Sequence, residues 1–454
     1  MEVATELARR INQITWSDLS PQVVSNAKTA ILDTIGVTLA GSQEDALVKL
    51  LRVPGTRDPG PSLVFGHPVR TSALNAALLN GTSAHAMDFD DVSIALGGHP
   101  SAPLVPVLFA LADTMEVSGR DLITAFVTGF ETTIRIARAV NFHHYEKGWH
   151  PTVTLGIFGA AAASAKLLQL TDEQTATALA ISASFAAGVK ANFGTMTKPL
   201  HVGHCARNGL FAALLAKEDF TANAEAFEHK QGFFEVFNGA GTFDATRIFA
   251  QWTQPFDIER PGNGIKLYPC CGSTHAAIDG IMTLAARDDV KPQDIERVDA
   301  RIHARRLAHI NRPDPRSGLE AKFSVHYCIA RALLERRVVV DHFERDAFLD
   351  PAARALMQKV HVESYTNPPP DVSDHYEVDL AVTLRSGQTV SLRQRRPSGR
   401  TPEDPTPPER LRAKFESCAA RVLPDARVAQ LYAALLELQN IDSVGDLLKE
   451  LEAR

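Results

Sequence analysis

The chain has 454 residues, 45% hydrophobic, 22% charged and 7% aromatic, which is enough for two or three domains with separate cores. Its net charge is −6 with acidic and basic residues interspersed, which argues against a nucleic-acid partner and an anionic membrane surface and leaves a small molecule as the expected partner. No run of 18 apolar residues occurs, and the start MEVATELARRINQITW carries no signal-like apolar stretch, so a cytoplasmic location is expected.

Residues 1 to about 250 read as mostly helical. Val23 to Ala40 is apolar at helical spacing, with Ser20-Pro21 as a start and Gly41 as a stop. Val153 to Leu170 contains Gly156, Gly159 and five alanines, a density that implies helices packed backbone to backbone and buried nearly all round. Thr171 to Gln174 is a capping-box pattern for a further helix through Ala187. A helix is expected from about Val202 to Ala216, with Lys198 in a turn ahead of it.

After Pro255 the pattern changes. The segment from Glu296, HVES from His361, and Tyr376 to Arg395 alternate as strands do, with Ser386-Gly387 as a hairpin turn. Lys322 to Glu335 and Pro351 to Lys359 read as helices between them, which makes a smaller α+β unit. A proline-rich, charged stretch from Arg395 to Arg410 ends it, and amphipathic helix returns through Leu448, expected to dock on the first domain. The Pro368 to Pro370 run is too short to count as a low-complexity segment. The expected boundaries are 1–255, 256–400 and 401–454.

Two segments concentrate ionisable residues among glycine and small side chains: HAMDFDDVSIALGGHPSAP from His85 to Pro103, and GTMTKPLHVGHCARNGL from Gly194 to Leu210. Such groups at the edge of an apolar, alanine-rich region point to acid/base chemistry. The five cysteines have neither CxxC spacing nor an even count, so reduced thiols are expected in place of disulfides or an iron–sulfur cluster. His201 and His204 form HxxH without the HExxH signature of a zinc hydrolase, and no glycine pattern marks a nucleotide site.

These segments, with GWHPTVTLGIFGAAAASAKLL, IKLYPCCGSTHAAID and AKFSVHYCIARALL, resemble the MmgE/PrpD superfamily along nearly the whole chain. Its chemistry spans dehydration of 2-methylcitrate, decarboxylation of cis-aconitate and epimerisation of iminodisuccinate. The resemblance implies a mainly α protein: a large all-helical domain built from both chain ends, with a smaller α+β domain inserted between. It further implies a cleft site between the domains, a homodimer, and catalysis without metal or other cofactor. The expected activity is that of a lyase on a small di- or tricarboxylate, first a dehydratase of a 2-methylcitrate-like substrate, alternatively an epimerase or a decarboxylase. Proton or carbon dioxide loss next to a carboxylate leaves negative charge, so the site needs cations, donors and two proton-transfer groups.

The resemblance assigns these tasks to particular positions. Lys198 is a carboxylate anchor or proton donor, with Thr195 and Thr197 as added donors near a helix N-terminus. Asp88 fixes a histidine tautomer or takes a proton, and His99, freed by two preceding glycines, acts as acid/base or substrate hydrogen bonder. Asp90 and Asp91 read equally as site groups and as helix caps or solvated acids. His150, ahead of a helix starting at Pro151, binds a carboxylate; Tyr145 is a further proton donor; His201 is near enough to Lys198 in sequence to take part in substrate binding. His275 comes from the smaller domain and is implied to face Lys198 across the cleft. His143, His144, His204 and His326 read as structural. Val92 departs from the family, many of whose members have threonine there, and so a substrate-facing hydroxyl is lost.

Overall fold

Serine and threonine caps, together with glycines at close crossings, decide where the helices lie. The structure is a computed structural model that describes residues 2–365, 376–399, 401 and 403–452. The chain divides into two units, Met1–Ile265 with Pro407–Arg454, and Lys266–Thr406. The first is a large helical domain and the second a smaller α+β domain. The Pro368 to Pro370 run lies outside the described residues.

In the first unit the Pro21–Gly41 helix starts where Ser20 accepts a hydrogen bond from the Val23 amide, with proline in the first turn. The Asp172–Phe185 helix opens on a complete capping box between Thr171 and Gln174. The alanine-rich run is two helices, Pro151–Thr154 and Gly156–Leu167, with the break at Leu155. Gly159 lies so close to the Gly119–Val140 helix that a Cβ on it would fall 2.6 Å from the Gly129 carbonyl oxygen and 2.0 Å from Thr133 Oγ1. The Ala73–Ala86 and Thr197–Lys217 helices cross in the same way: a Cβ on Gly81 would sit 2.9 Å from Gly203 Cα, and one on Gly203 2.1 Å from the Leu78 carbonyl oxygen. This crossing sets the two ionisable segments beside each other.

One element departs from the all-helical expectation. Strands β1 (Pro59–Val64) and β2 (Val69–Thr71) pair as an antiparallel hairpin. The Pro59-Gly60-Pro61 start disfavours helix, and Gly66, at φ 72°, supplies the turn. The returning chain adds the Pro408–Ala419, Asp425–Leu436 and Val444–Leu448 helices, and Phe415 packs its ring onto Gly36 of the Pro21–Gly41 helix.

In the second unit β3 (Ile295–His303), β4 (Val360–Tyr365), β5 (Val378–Leu384) and β6 (Thr389–Gln394) form a sheet in the order β4-β3-β5-β6. The β3–β4 pair is parallel, and β3–β5 and β5–β6 are antiparallel. Gly387, at φ 85°, turns the β5–β6 hairpin. The expected Lys322–Glu335 helix is interrupted: Gly318–Lys322 ends, and Ser324 caps a new helix, Val325–Glu335, by accepting from the Tyr327 amide. Among the described residues no helix is long and apolar enough to cross a membrane, and all five cysteines are free thiols.

Candidate functional site

The Ala73–Ala86 helix delivers His85 at its last turn, and the chain then reverses at Asp88, which adopts φ 53°. A left-handed residue ends the helix and throws the following carboxylates back over it, a conformation aspartate tolerates better than bulkier residues. Asp90 therefore returns to His85, whose Nδ1 donates to Asp90 Oδ2 at 2.8 Å. The chain next makes a turn closed by hydrogen bonds between Ser93 and Gly98, with Gly97 at φ 66°. His99 follows, its amide donating to Thr152 Oγ1 at 3.1 Å. A Cβ on Gly98 would lie 2.7 Å from that hydroxyl, so glycine is required there for the approach.

His99 thereby stands between two carboxylates. Its Nδ1 lies 3.2 Å from Asp90 Oδ2, and its Nε2 lies 3.7 Å from Asp88 Oδ1. The His85 and His99 rings meet edge to face with centroids 4.6 Å apart. From the facing helix, Lys198 Nζ donates to Asp88 Oδ1 at 2.7 Å. Lys198 belongs to the first turn of the Thr197–Lys217 helix and not to a turn ahead of it. Pro199 is accommodated because the first-turn amides have no intrahelical acceptor.

His150 caps the Pro151–Thr154 helix and is buried. Its ring lies 5.6 Å from that of His85 and edge-on to Phe193 at 4.8 Å, and its Nδ1 is 3.3 Å from His201 Nδ1. The ammonium of Lys198 lies 5.2 Å from the Phe193 ring. Lys198, Asp88, His99, Asp90, His85, His150 and His201 thus form a continuous set within the first unit.

Burial dominates its electrostatics. It pushes the His85 imidazole down to about 4, against the pull of Asp90. Burial holds His150 well below the usual histidine range, with His85 and the Lys198 ammonium adding to the effect. His201 is lowered by burial, then by His204 and Lys198. Burial works against the charge of Asp90, but the two imidazoles at its oxygens more than offset this and hold it ionised.

The other expected site residues lie as follows. Tyr145, on the short His143–Lys147 helix, carries the Lys190 ammonium 3.5 Å from its ring centre. The exposed Thr195 hydroxyl donates to the Asn192 carbonyl oxygen at 2.8 Å, and Thr197 opens the helix that carries Lys198. His275 belongs to the second unit, at the start of the His275–Ala285 helix, with Nε2 3.2 Å from the Cys270 carbonyl oxygen. His144 and His326 each have partners at both ring nitrogens.

Asp90 and Asp91 neither cap a helix nor face solvent. Both are fully buried. Asp91 accepts from the Ser101 amide and hydroxyl and from Asn263 Nδ2, and so ties the two ends of the His99 segment together. Sequence reasoning did not single out His85 and left Asp90 open between a site group and a cap, and it did not pair the two. The signal available was their five-residue separation around a helix end.

The expectation of metal-independent catalysis is corrected by this geometry. His85, Asp88, Asp90 and His99 each present one ligand atom, all within 4.8 Å of one another, which is a group able to hold a metal ion. The two imidazoles suit borderline Zn²⁺ and the two carboxylates also suit harder Mn²⁺, and either ion would compete with the Lys198 ammonium for Asp88.

Comparison with known proteins gives the chain its family. The MmgE/PrpD N-terminal domain matches residues 5–246, and the MmgE/PrpD C-terminal domain matches residues 268–438. The chain is similar to the cis-aconitate decarboxylase of Homo sapiens, 29% identical over 460 residues, covering 98% of this chain and 93% of that protein. The Mus musculus cis-aconitate decarboxylase is also 29% identical, over 99% of this chain and 93% of its own length. That of Aspergillus terreus is 26% identical over 98% and 95% respectively. With both family domains matched in order across most of its length, the chain belongs to the MmgE/PrpD family and has a lyase-type enzymatic role on a small carboxylate substrate.

Proposed function

We propose that the protein decarboxylates an unsaturated tricarboxylate of the cis-aconitate type. The observation that carries this reading is an imidazole, His99, flanked by two carboxylates, one of which also holds the Lys198 ammonium. Full-length similarity to cis-aconitate decarboxylases supports it and moves decarboxylation ahead of dehydration.

Loss of carbon dioxide from the CH₂–COO⁻ arm breaks one C–C bond. The electron pair shifts across the adjacent double bond to the carbon beside another carboxylate, where one proton forms the new C–H bond. The product has a terminal CH₂ group, and one proton is consumed per turnover. In this scheme the Lys198 ammonium holds a substrate carboxylate and stabilises the charge that spreads onto it. His99 delivers the proton, oriented by Asp90 at Nδ1, while neutral His85 keeps Asp90 in place. His150 and His201, held in their neutral forms, serve as hydrogen-bonding groups for carboxylates, together with Thr195 and Thr197. Tyr145 and His275 are assigned as additional proton-transfer groups.

A second reading, dehydration of a 2-methylcitrate-like substrate, is favoured by the Asp90–His99 contact, because an imidazole so oriented takes a proton as readily as it gives one. A proton NMR time course in deuterium oxide separates the readings, run on cis-aconitate, 2-methylcitrate, citrate and iminodisuccinate with and without added Zn²⁺ or Mn²⁺. Decarboxylation replaces the single vinylic signal of cis-aconitate by two geminal vinylic signals and leaves one deuteron in the new methylene. Collapse of the 2-methylcitrate methyl doublet to a downfield singlet on an alkene carbon, with cis-aconitate left unchanged, would put dehydration first, and exchange without change of formula would mark an epimerase. Inertness towards the whole panel defeats the assignment. The homodimer implied by the family belongs to the same proposal and is read by light scattering at about twice 49.3 kDa.

A further inference from the structure

Beneath the Asp88–Asp91 loop lies a cation from the far end of the chain. Lys414, on the Pro408–Ala419 helix, is 6% exposed. Its Nζ donates to the Phe89 carbonyl oxygen at 2.8 Å, lies 2.5 Å from Asp33 Oδ1, and stands 4.1 Å from the centre of the Phe89 ring. Asp33 is on the Pro21–Gly41 helix and almost completely buried. Phe89 separates Asp88 from Asp90, so one ammonium grips the backbone and the ring of the residue between the two carboxylates that flank His99.

We infer that Lys414 is a positioning residue for the acid/base centre: anchored by Asp33, it fixes the Phe89 peptide and thereby the spacing of Asp88 and Asp90 around His99. The helix that carries it is itself held, because Phe415 packs on Gly36 one turn from Asp33. A buried ion pair also needs acceptors for the remaining ammonium protons, which any nearby carbonyl or hydroxyl could supply. Here the second and third contacts, to the Phe89 carbonyl and ring, both fall on the residue between the two carboxylates that flank His99. They bring the cation to a loop with three acidic residues in four, where it also offsets the negative charge of a poorly solvated site. Displacing catalytic groups by about 1 Å costs on the order of 100-fold in rate.

The test compares Lys414→Met, Asp33→Asn and the double variant, which leaves no uncompensated buried charge. Its kinetic arm rests on the lyase reading above; its spectroscopic arm does not. Protein labelled with ¹⁵N-histidine reports the His85 and His99 ring nitrogens by long-range ¹H–¹⁵N correlation, assigned from His85→Gln and His99→Gln spectra. Lys414→Met is expected to shift both sets of signals and to lower kcat about tenfold or more, with KM within about threefold. The double variant should regain the wild-type melting temperature but neither the signals nor kcat. If Lys414→Met does not fold, the double variant decides alone. Wild-type histidine signals in a folded variant lacking Lys414 overturn the inference. An inactive wild type defeats only the lyase reading and leaves the spectra to decide.

Discussion

Lys198 and Asp88, 110 residues apart, meet through a 2.7 Å hydrogen bond whose two side chains are only 11% and 12% exposed. The pair joins opposite charges in a mostly buried setting, so removal of either changes the charge held beside His99. Lys198→Ala and Asp88→Asn are each expected to lower turnover by about 100-fold or more with the circular dichroism spectrum unchanged. The double variant should be no worse than the poorer single one, because the two act as a unit. Steady-state kinetics on cis-aconitate checks this; losses that simply multiply would mean independent roles.

The crossing at Gly81 and Gly203 should be intolerant of a single methyl group. Gly203→Ala places its Cβ 2.1 Å from the Leu78 carbonyl oxygen, so the helices that carry His85 and Lys198 must move apart. A loss of about 1–3 kcal/mol is expected in urea denaturation. Gly445→Ala is the control: it meets ordinary contacts at 3.5 and 3.7 Å in a helix and should be neutral or stabilising by up to about 1 kcal/mol.

Buried histidines should make the protein sensitive to acid. Burial pushes His144 down to about 4, below the ordinary 6.5, so the folded state refuses a proton that the unfolded chain accepts. Its contribution to stability is complete above pH 6.5 and is lost as the pH falls towards 4. In His144→Gln the slope of unfolding free energy against pH in that window should decrease by up to about 1.4 kcal/mol per pH unit. Denaturation series at pH 7, 6 and 5 measure it, and an unaltered slope would show that His144 takes up its proton at no cost.

Metal affinity should respond to the ammonium that shares Asp88. Removing that charge in Lys198→Ala is expected to tighten Zn²⁺ binding about tenfold or more, whereas Asp90→Asn and His99→Ala should weaken it. Competition against a chromophoric chelator reads all three. Indifference of the affinity to every substitution would exclude this group as the ligand set.

That Lys198, His99 and Asp88 lie together was anticipated from two motifs rich in ionisable and small residues, read through the family resemblance. The caps at Ser20 and Thr171 and the turn at Gly387 were equally readable, since each depends on residues within one turn of itself. The pairing of His85 with Asp90 was not. Their contact depends on the left-handed turn at Asp88, and helical periodicity carries no information across such a reversal. The β1–β2 hairpin escaped because its strands are six and three residues long and do not alternate. Lys414 escaped for a different reason: a lysine in a polar, amphipathic tail gives no local hint of a carboxylate and a carbonyl more than 300 residues upstream.

That separation bears on how the protein is made. Lys414 follows Phe89 by 325 residues, so the loop carrying Asp88 and Asp90 emerges from the ribosome long before its brace has been translated. Sequence-local contacts form first and distant ones last. A nascent chain can therefore complete most of its helices while its carboxylates are still unmoored, and turnover is the last property it acquires.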